Sequence, residues 1–222
     1  MRHDYPFDTA ELAGRVEAVR DHLRSAEVPV ELIVGGEVAL PMSIDLADDE
    51  LARVCLGAGS YLLVESPYTD APETLEASLF ALQVRGFRVL LAHPERSPAF
   101  LLHDGRLAEL VDRGMRCSIT AGSMAGRFGG KVQRFTADLF QEGLVHDVAS
   151  DAHNARGRPP GLRHGFEVLA ERLRGLPAQV NWFTVEAPNA ILAGDELAPR
   201  HPVGGRRRLP LRSLRRGPRS AR

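Results

Sequence analysis

Lysine is almost missing from this 222-residue chain: Lys131 is the single lysine among 28 basic side chains. The wealth of arginine is thus in part a matter of genomic composition, and arginine count alone marks no site. Cysteine is nearly as scarce. Cys55 and Cys117 stand in apolar surroundings without CxxC spacing, which excludes a thiolate-built structural zinc site. Both are expected as small buried hydrophobes, since pairing would require the fold to bring them together. Also lacking is any apolar run long enough to span a bilayer. The opening MRHDYPFDTAEL has no apolar signal-peptide core, so a cytoplasmic location is the expectation.

The residues that are present, 44% hydrophobic and 26% charged, have the composition of an ordinary globular protein with room for one substantial core. A net charge of −1 hides an asymmetry, because Val203 to Arg222 hold eight arginines and no acid. Setting those eight aside from the 28 leaves 20 basic against 29 acidic side chains, a formal charge of −9 on the body. An acidic body argues against general or specific nucleic-acid binding. The expected division is one domain over residues 1–201 and an arginine-rich tail over 202–222. For the tail two readings stand: a solvated, disordered extension, or contact with an anionic surface such as lipid, an acidic partner or nucleic acid.

Along the chain, strand and helix patterns alternate. Asp8 to Glu27 reads as an amphipathic helix capped by Asp8 or Thr9, with a stripe of Leu12, Val16, Val19 and Leu23. Short apolar runs then follow at Val30–Val34, Tyr61–Val64, Phe87–Ala92, Cys117–Ile119 and Leu144–Ala149. Helical patterns separate them at about Pro72–Arg85, Gly105–Arg113 and Lys131–Glu142, and a last helix spans about Leu162–Arg174. Alternation of this kind predicts a parallel β/α architecture. The strand ends carry the reactive side chains. Glu37, Glu65, His93, Asp151 and His153 each fall at the end of an apolar run or within a few residues of it. In a β/α barrel those ends converge on one face, so five donors from four strands would meet around one pocket.

Two glutamates, two histidines and an aspartate form a mixed oxygen and nitrogen set suited to Mn²⁺, Fe²⁺ or Zn²⁺. Asp151 and His153, two apart, face the same side of an extended segment. Glu37 or Glu65 could bridge neighbouring ions, which would acidify a bound water and clamp phosphoryl oxygens. Arg96, three residues past His93, has the planar fork that grips a phosphate dianion. Each residue taken singly also has a plainer reading: a turn cap for Glu37, a satisfied core histidine for His93, a polar strand-end turn for Asp151 and His153. Arg156 and Arg158 flank that turn, where substrate contact and simple loop solvation are both open. His22, His103, His146, His164 and His201 are expected to be structural or surface residues.

Gly35-Gly36-Glu37, Leu63-Val64-Glu65-Ser66-Pro67, Leu91-Ala92-His93-Pro94-Glu95-Arg96 and Ala149-Ser150-Asp151-Ala152-His153-Asn154 resemble successive motifs of the PHP-type bacterial tyrosine-protein phosphatases of capsular polysaccharide synthesis. Ala121-Gly122-Ser123 with Gly126-Arg127-Phe128-Gly129 resembles that family's small-residue loop, and Pro188–Leu192 its closing segment. Thr120 stands where the family often has asparagine. The resemblance runs from about Tyr5 to Gly194. It implies a distorted β/α (TIM-like) barrel and a trinuclear metal site usually described with manganese. It also implies hydrolysis of phosphotyrosine on a bacterial tyrosine kinase of polysaccharide synthesis. Carried over by motif, Glu37, Glu65, His93, Asp151 and His153 would be metal ligands, Arg96 would bind the phosphate, and His93 and Arg96 would be catalytic. The family's opening His-x-His strand and its acidic loop have no counterpart in Met1 to Tyr5, where His3 is a poor substitute. The expectation is therefore a barrel without its first strand, through a misplaced start or a real loss. Alternatives are a PHP-type phosphatase of a small ester such as histidinol phosphate, or a non-catalytic remnant that binds the kinase.

Overall fold

The computed structural model describes residues 8–67, 72–103 and 105–204. His3 and residues 205–222 of the arginine-rich segment lie outside the described residues. A 3-10 turn capped by the Asp8 side chain leads into α1 (Leu12–Ser25). Five strands then pair in sequential order as one parallel sheet: β1 (Glu37–Ala39), β2 (Tyr61–Glu65), β3 (Arg88–Ala92), β4 (Arg116–Thr120) and β5 (Asp147–Ala149). Parallel neighbours need crossovers, and helices supply them. α2 (Leu40–Asp45) and α3 (Asp48–Val54) join β1 to β2, and α4 (Pro72–Val84) joins β2 to β3. α5 (Pro98–Leu101) and α6 (Arg106–Asp112) precede β4, while α7 (Ala121–Met124) and α8 (Gly130–Glu142) precede β5. The chain closes with α9 (Arg163–Ala170), a π-helical turn at Trp182–Glu186 and α10 (Ala187–Ala193).

The parallel β/α alternation read from the sequence is present. Among the described residues the sheet is open, with β1 and β5 each bordering a single strand, so these strands do not close into a barrel. Alternate residues of each strand face opposite sides. One face sends Val38, Leu62, Val64, Val89, Leu91 and Ile119 into the main core beneath the crossover helices. Each such fully buried side chain contributes about 1.5–3 kcal/mol. Tyr61 and Leu90 on the inner face pack instead against Ala187 and Ile191 of α10 and against Leu197. Arg88 donates to Gly194 O and Arg116 to Leu197 O, so two arginines that open neighbouring strands hold the chain's last segment across the inner face. Packing continues through Val203, which is buried and donates its N–H to Phe140 O. Cys55 and Cys117 are free and buried. No helix among the described residues is long and apolar enough to cross a membrane.

Three local expectations need correction. Val30–Val34 is not a ladder strand, because the backbone there is engaged elsewhere: Gly36 N–H donates to Val54 O and Gly57 N–H to Val34 O. A Cβ on Gly35 would sit 2.6 Å from Leu56 Cδ2 and 3.4 Å from Leu56 Cα, so a larger residue there would have to displace the leucine side chain. Pairing therefore starts at Glu37, which opens β1 instead of trailing a strand. The α1 stripe buries nothing fully, and Val19 is 47% exposed. The helix expected to reach Arg174 ends at Ala170.

Candidate metal centre

Register decides which side chains meet. Ala39 pairs with Glu65 and Glu37 with Leu63, so the two glutamates lie on the same face of adjacent strands, one diagonal step apart. His93 follows β3 directly, and strand alternation alone would send its ring toward the helices. Its backbone is left-handed instead (φ 35°, ψ 51°), a conformation disfavoured for a residue with a Cβ, and this breaks the alternation. The ring turns to the carboxylates, with Nε2 3.2 Å from Glu37 Oε1 and 3.7 Å from Glu65 Oε1. One donor atom each from Glu37, Glu65 and His93 thus falls within 4.8 Å of the others. Burial pushes the Glu37 carboxyl up, but His93, through its hydrogen bond and charge, together with weaker neighbouring positive charge such as that of Arg96, holds the group below its usual range.

The structure brings together three of the five expected donors. Asp151 and His153 form a neighbouring group built on arginine. Asp151 also has a left-handed backbone (φ 51°) and accepts from Arg96 at 3.1 Å and from Arg158. His153 Nδ1–H donates to the Asp151 carbonyl at 3.0 Å, leaving Nε2 to accept from Arg158 at 2.9 Å. A guanidinium only donates, so Nε2 is the accepting atom of that contact. The turn that delivers Arg158 is organised by Asn154, whose Oδ1 accepts from the backbone N–H groups of Arg156, Gly157 and Arg158. Arg158 is therefore a site residue whose role the sequence left open, and its one sequence signal is the Asn154 turn.

A second residue sits within a motif read from the sequence but had no role assigned. Glu95 is fully buried, and its Oε1 accepts from Thr120 N–H at 3.1 Å and Ser123 Oγ–H at 2.5 Å. It ties the turn that presents His93 and Arg96 to the turn after β4. Burial pushes its carboxyl up, partly offset by the Ser123 hydrogen bond. The other histidines are structural or peripheral. His146 is buried between Cys117 N–H and Pro199 O, and His201 stacks on Trp182 at 3.7 Å. His164 is exposed at the start of α9.

Two carboxylates and an imidazole, clustered on adjacent strands beside a guanidinium, fit a borderline divalent ion such as manganese, iron or zinc. Proteins named as tyrosine phosphatases are similar to this sequence. Tyrosine-protein phosphatase YwqE of Bacillus subtilis is 31% identical over 167 residues, 74% of this chain and 65% of that protein. Putative tyrosine-protein phosphatase CapC of Staphylococcus aureus is 27% identical over 164 residues, 73% of this chain and 64% of that protein. The chain thus spans slightly less than two thirds of the length of these two relatives. A crystal structure from work on YwqE of Bacillus subtilis and CpsB of Streptococcus pneumoniae, described there as unique metal-dependent tyrosine phosphatases, superposes with a TM-score of 0.75. It is 27% identical and covers 90% of this chain and 81% of that one. The family model for capsular polysaccharide synthesis, CpsB/CapC, matches residues 2–193. With the clustered donors, the fold and that match in agreement, the chain belongs to the CpsB/CapC family of capsular polysaccharide synthesis.

Proposed function

We propose that this chain carries the metal site of a phosphotyrosine phosphatase acting in capsular or exopolysaccharide synthesis. The observation that carries the reading is the convergence of Glu37, the first residue of β1, with Glu65 and His93 at the ends of β2 and β3. The named phosphatases among its relatives support it. Glu37, Glu65 and His93 hold a divalent ion, which we assign as manganese with iron or zinc as alternatives, and Asp151 and His153 complete the ligand set. When bound, such an ion acidifies water and neutralises phosphoryl oxygens.

The protein's own groups do the rest. Arg96 and Arg158 converge on one carboxylate of Asp151, which has the charge and planar shape of the oxyanion face they would grip on a phosphate. Arg96 lies 4.8 Å over the Phe128 ring, which fixes the guanidinium plane. His153 keeps Nε2 unprotonated, the form needed to donate a lone pair. On this reading residues 1–201 form the phosphoesterase domain, with Val203 packed into its core, and the edge of β1 that is unpaired among the described residues is where a distorted PHP-type barrel would be completed. The arginine-rich residues beyond Val203 are an appended basic segment, the substrate is a cytoplasmic protein phosphotyrosine, and the partner that bears it is a tyrosine kinase of polysaccharide synthesis.

The test is metal content after dialysis together with manganese-dependent release of phosphate from a phosphotyrosine peptide, for the 222-residue chain and its His93→Ala variant. Retained metal and chelator-reversible turnover, both lost in H93A, are expected. Turnover by H93A at the parent rate would refute the assignment.

A further inference from the structure

A cavity of about 750 Å³ opens beside the arginine pair, between the loop after β4, the loop after β5 and the first turn of α9. It is far larger than a phosphoryl group needs and falls in the size range of sites that enclose a drug-sized ligand. Much of its lining is uncharged, with Gly122, Phe128 and Pro160 among the residues, and this uncharged part is taken as its floor. Phe128 is the ring beneath Arg96, and Arg158 also lines the cavity, so the space is continuous with the site described above.

The walls carry an excess of positive charge. Arg158 is committed to Asp151. Arg127 is anchored by a hydrogen bond to Gly157 O, a neutral acceptor, and forms no ion pair among the described residues. Arg163, exposed on α9, forms none among them either. Against these two guanidinium groups the lining offers one acid, Glu167. The body of the chain is acidic by composition, so the sign of this cavity runs against its surroundings and is a local property of the fold.

Resting on the phosphatase reading, we infer that this cavity selects phosphotyrosine peptides with aspartate or glutamate next to the modified residue, and that Arg127 and Arg163 are the specificity-determining side chains. With the phosphoryl group at Arg96 and Arg158, neighbouring peptide residues extend over Phe128. Their carboxylates then reach Arg127 and Arg163, while the uncharged floor takes the aliphatic stems. Glu167 opposes acidic residues and limits the preference, the repulsive element that such selectivity commonly includes.

Binding is measured by fluorescence anisotropy with the full chain and fluorescein-labelled phosphotyrosine peptides whose four flanking residues are acidic, neutral or basic. Hydrolysis of p-nitrophenyl phosphate, which has no flanking residues, is recorded alongside. The acidic peptide should bind roughly tenfold tighter than the neutral one, as two partly exposed charge pairs supply. That gap should close in the Arg127→Gln/Arg163→Gln variant and shrink as salt rises. Glu167→Gln, a conservative change at an exposed position, should widen it about two- to threefold. Equal affinity for acidic and neutral peptides, preference for the basic one, or no peptide binding would each overturn the inference. Failure to hydrolyse p-nitrophenyl phosphate with the acidic preference intact would instead sink the phosphatase reading and leave the binding surface standing.

Discussion

Replacing Asp147 with asparagine should stabilise the protein, and by more as the pH rises. Asp147 opens β5 on the inner face of the sheet, paired in register with Ser118. The Ser118 hydroxyl hydrogen-bonds its side chain, while Oδ1 is sealed from solvent and has no partner among the described residues. Burial outweighs that hydrogen bond and pushes the carboxyl up to about 7. An unfolded aspartate titrates near 3.9, so the gap is about three units, worth on the order of 4 kcal/mol at 1.36 kcal/mol per unit. The residue as a whole keeps some solvent contact, which makes that figure an upper limit and about 2 kcal/mol the working value. The folded pKa is the higher one, so the folded state prefers the protonated acid. Its stabilising contribution is complete below about pH 4 and is lost as pH rises through 7. Asparagine is isosteric and never ionises. Urea unfolding of both proteins at about pH 4, 5.5, 7 and 8 should therefore show near-equal stability at pH 4. The difference should grow up to pH 7 and plateau beyond it, matched by a melting-temperature gain of roughly 4–8 °C. A difference independent of pH, or an Asp147→Asn protein less stable at pH 8, would refute the reasoning.

Glu95→Ala should cost about 2–4 kcal/mol in urea unfolding, because the buried Thr120 N–H and Ser123 hydroxyl lose their acceptor. Glu95→Gln keeps that acceptor and should stay within about 1 kcal/mol of the parent, so equal damage from both changes would show that the charge itself is required. Gly165→Ala would place a Cβ 2.5 Å from the Ala121 carbonyl oxygen, a backbone atom that cannot yield cheaply. The expected loss is about 1–3 kcal/mol, read as a melting temperature lower by roughly 2–12 °C. Arg158→Lys retains the charge but not the fork that reaches Asp151 and His153 together. A fall of about 10²-fold in kcat/KM on a phosphotyrosine peptide is expected, with the fold unchanged by circular dichroism.

The residues that were easy to read are those whose environment leaves a periodic trace. Buried parallel strands appear as near-continuous apolar runs, so β2, β3 and β4 stand out, and with them Glu65 and His93 at their ends. α2 and α3 escaped because helices of six and seven residues are too short to show a period, and β1 because three residues carry no pattern at all. The apolar run at Val30–Val34 misled for the opposite reason: its composition is that of a strand, but Val54 and Leu56 take up the neighbouring backbone and the tight glycine contacts first. Glu95 looked like part of a polar motif, and nothing local announces that Thr120 and Ser123, about 25 residues away, enclose it.

Local sequence by itself thus determined the β/α alternation, the family and the placement of Glu65 and His93 at strand ends, because period and motif are properties of neighbouring residues. Tertiary structure decided the rest. Strand register set Glu37 and Glu65 side by side, the left-handed backbone of His93 turned its ring to them, and Asn154 folded Arg158 back onto Asp151. Those outcomes depend on contacts between residues distant in the chain or on backbone angles that no periodicity encodes, and only the packed fold supplies them.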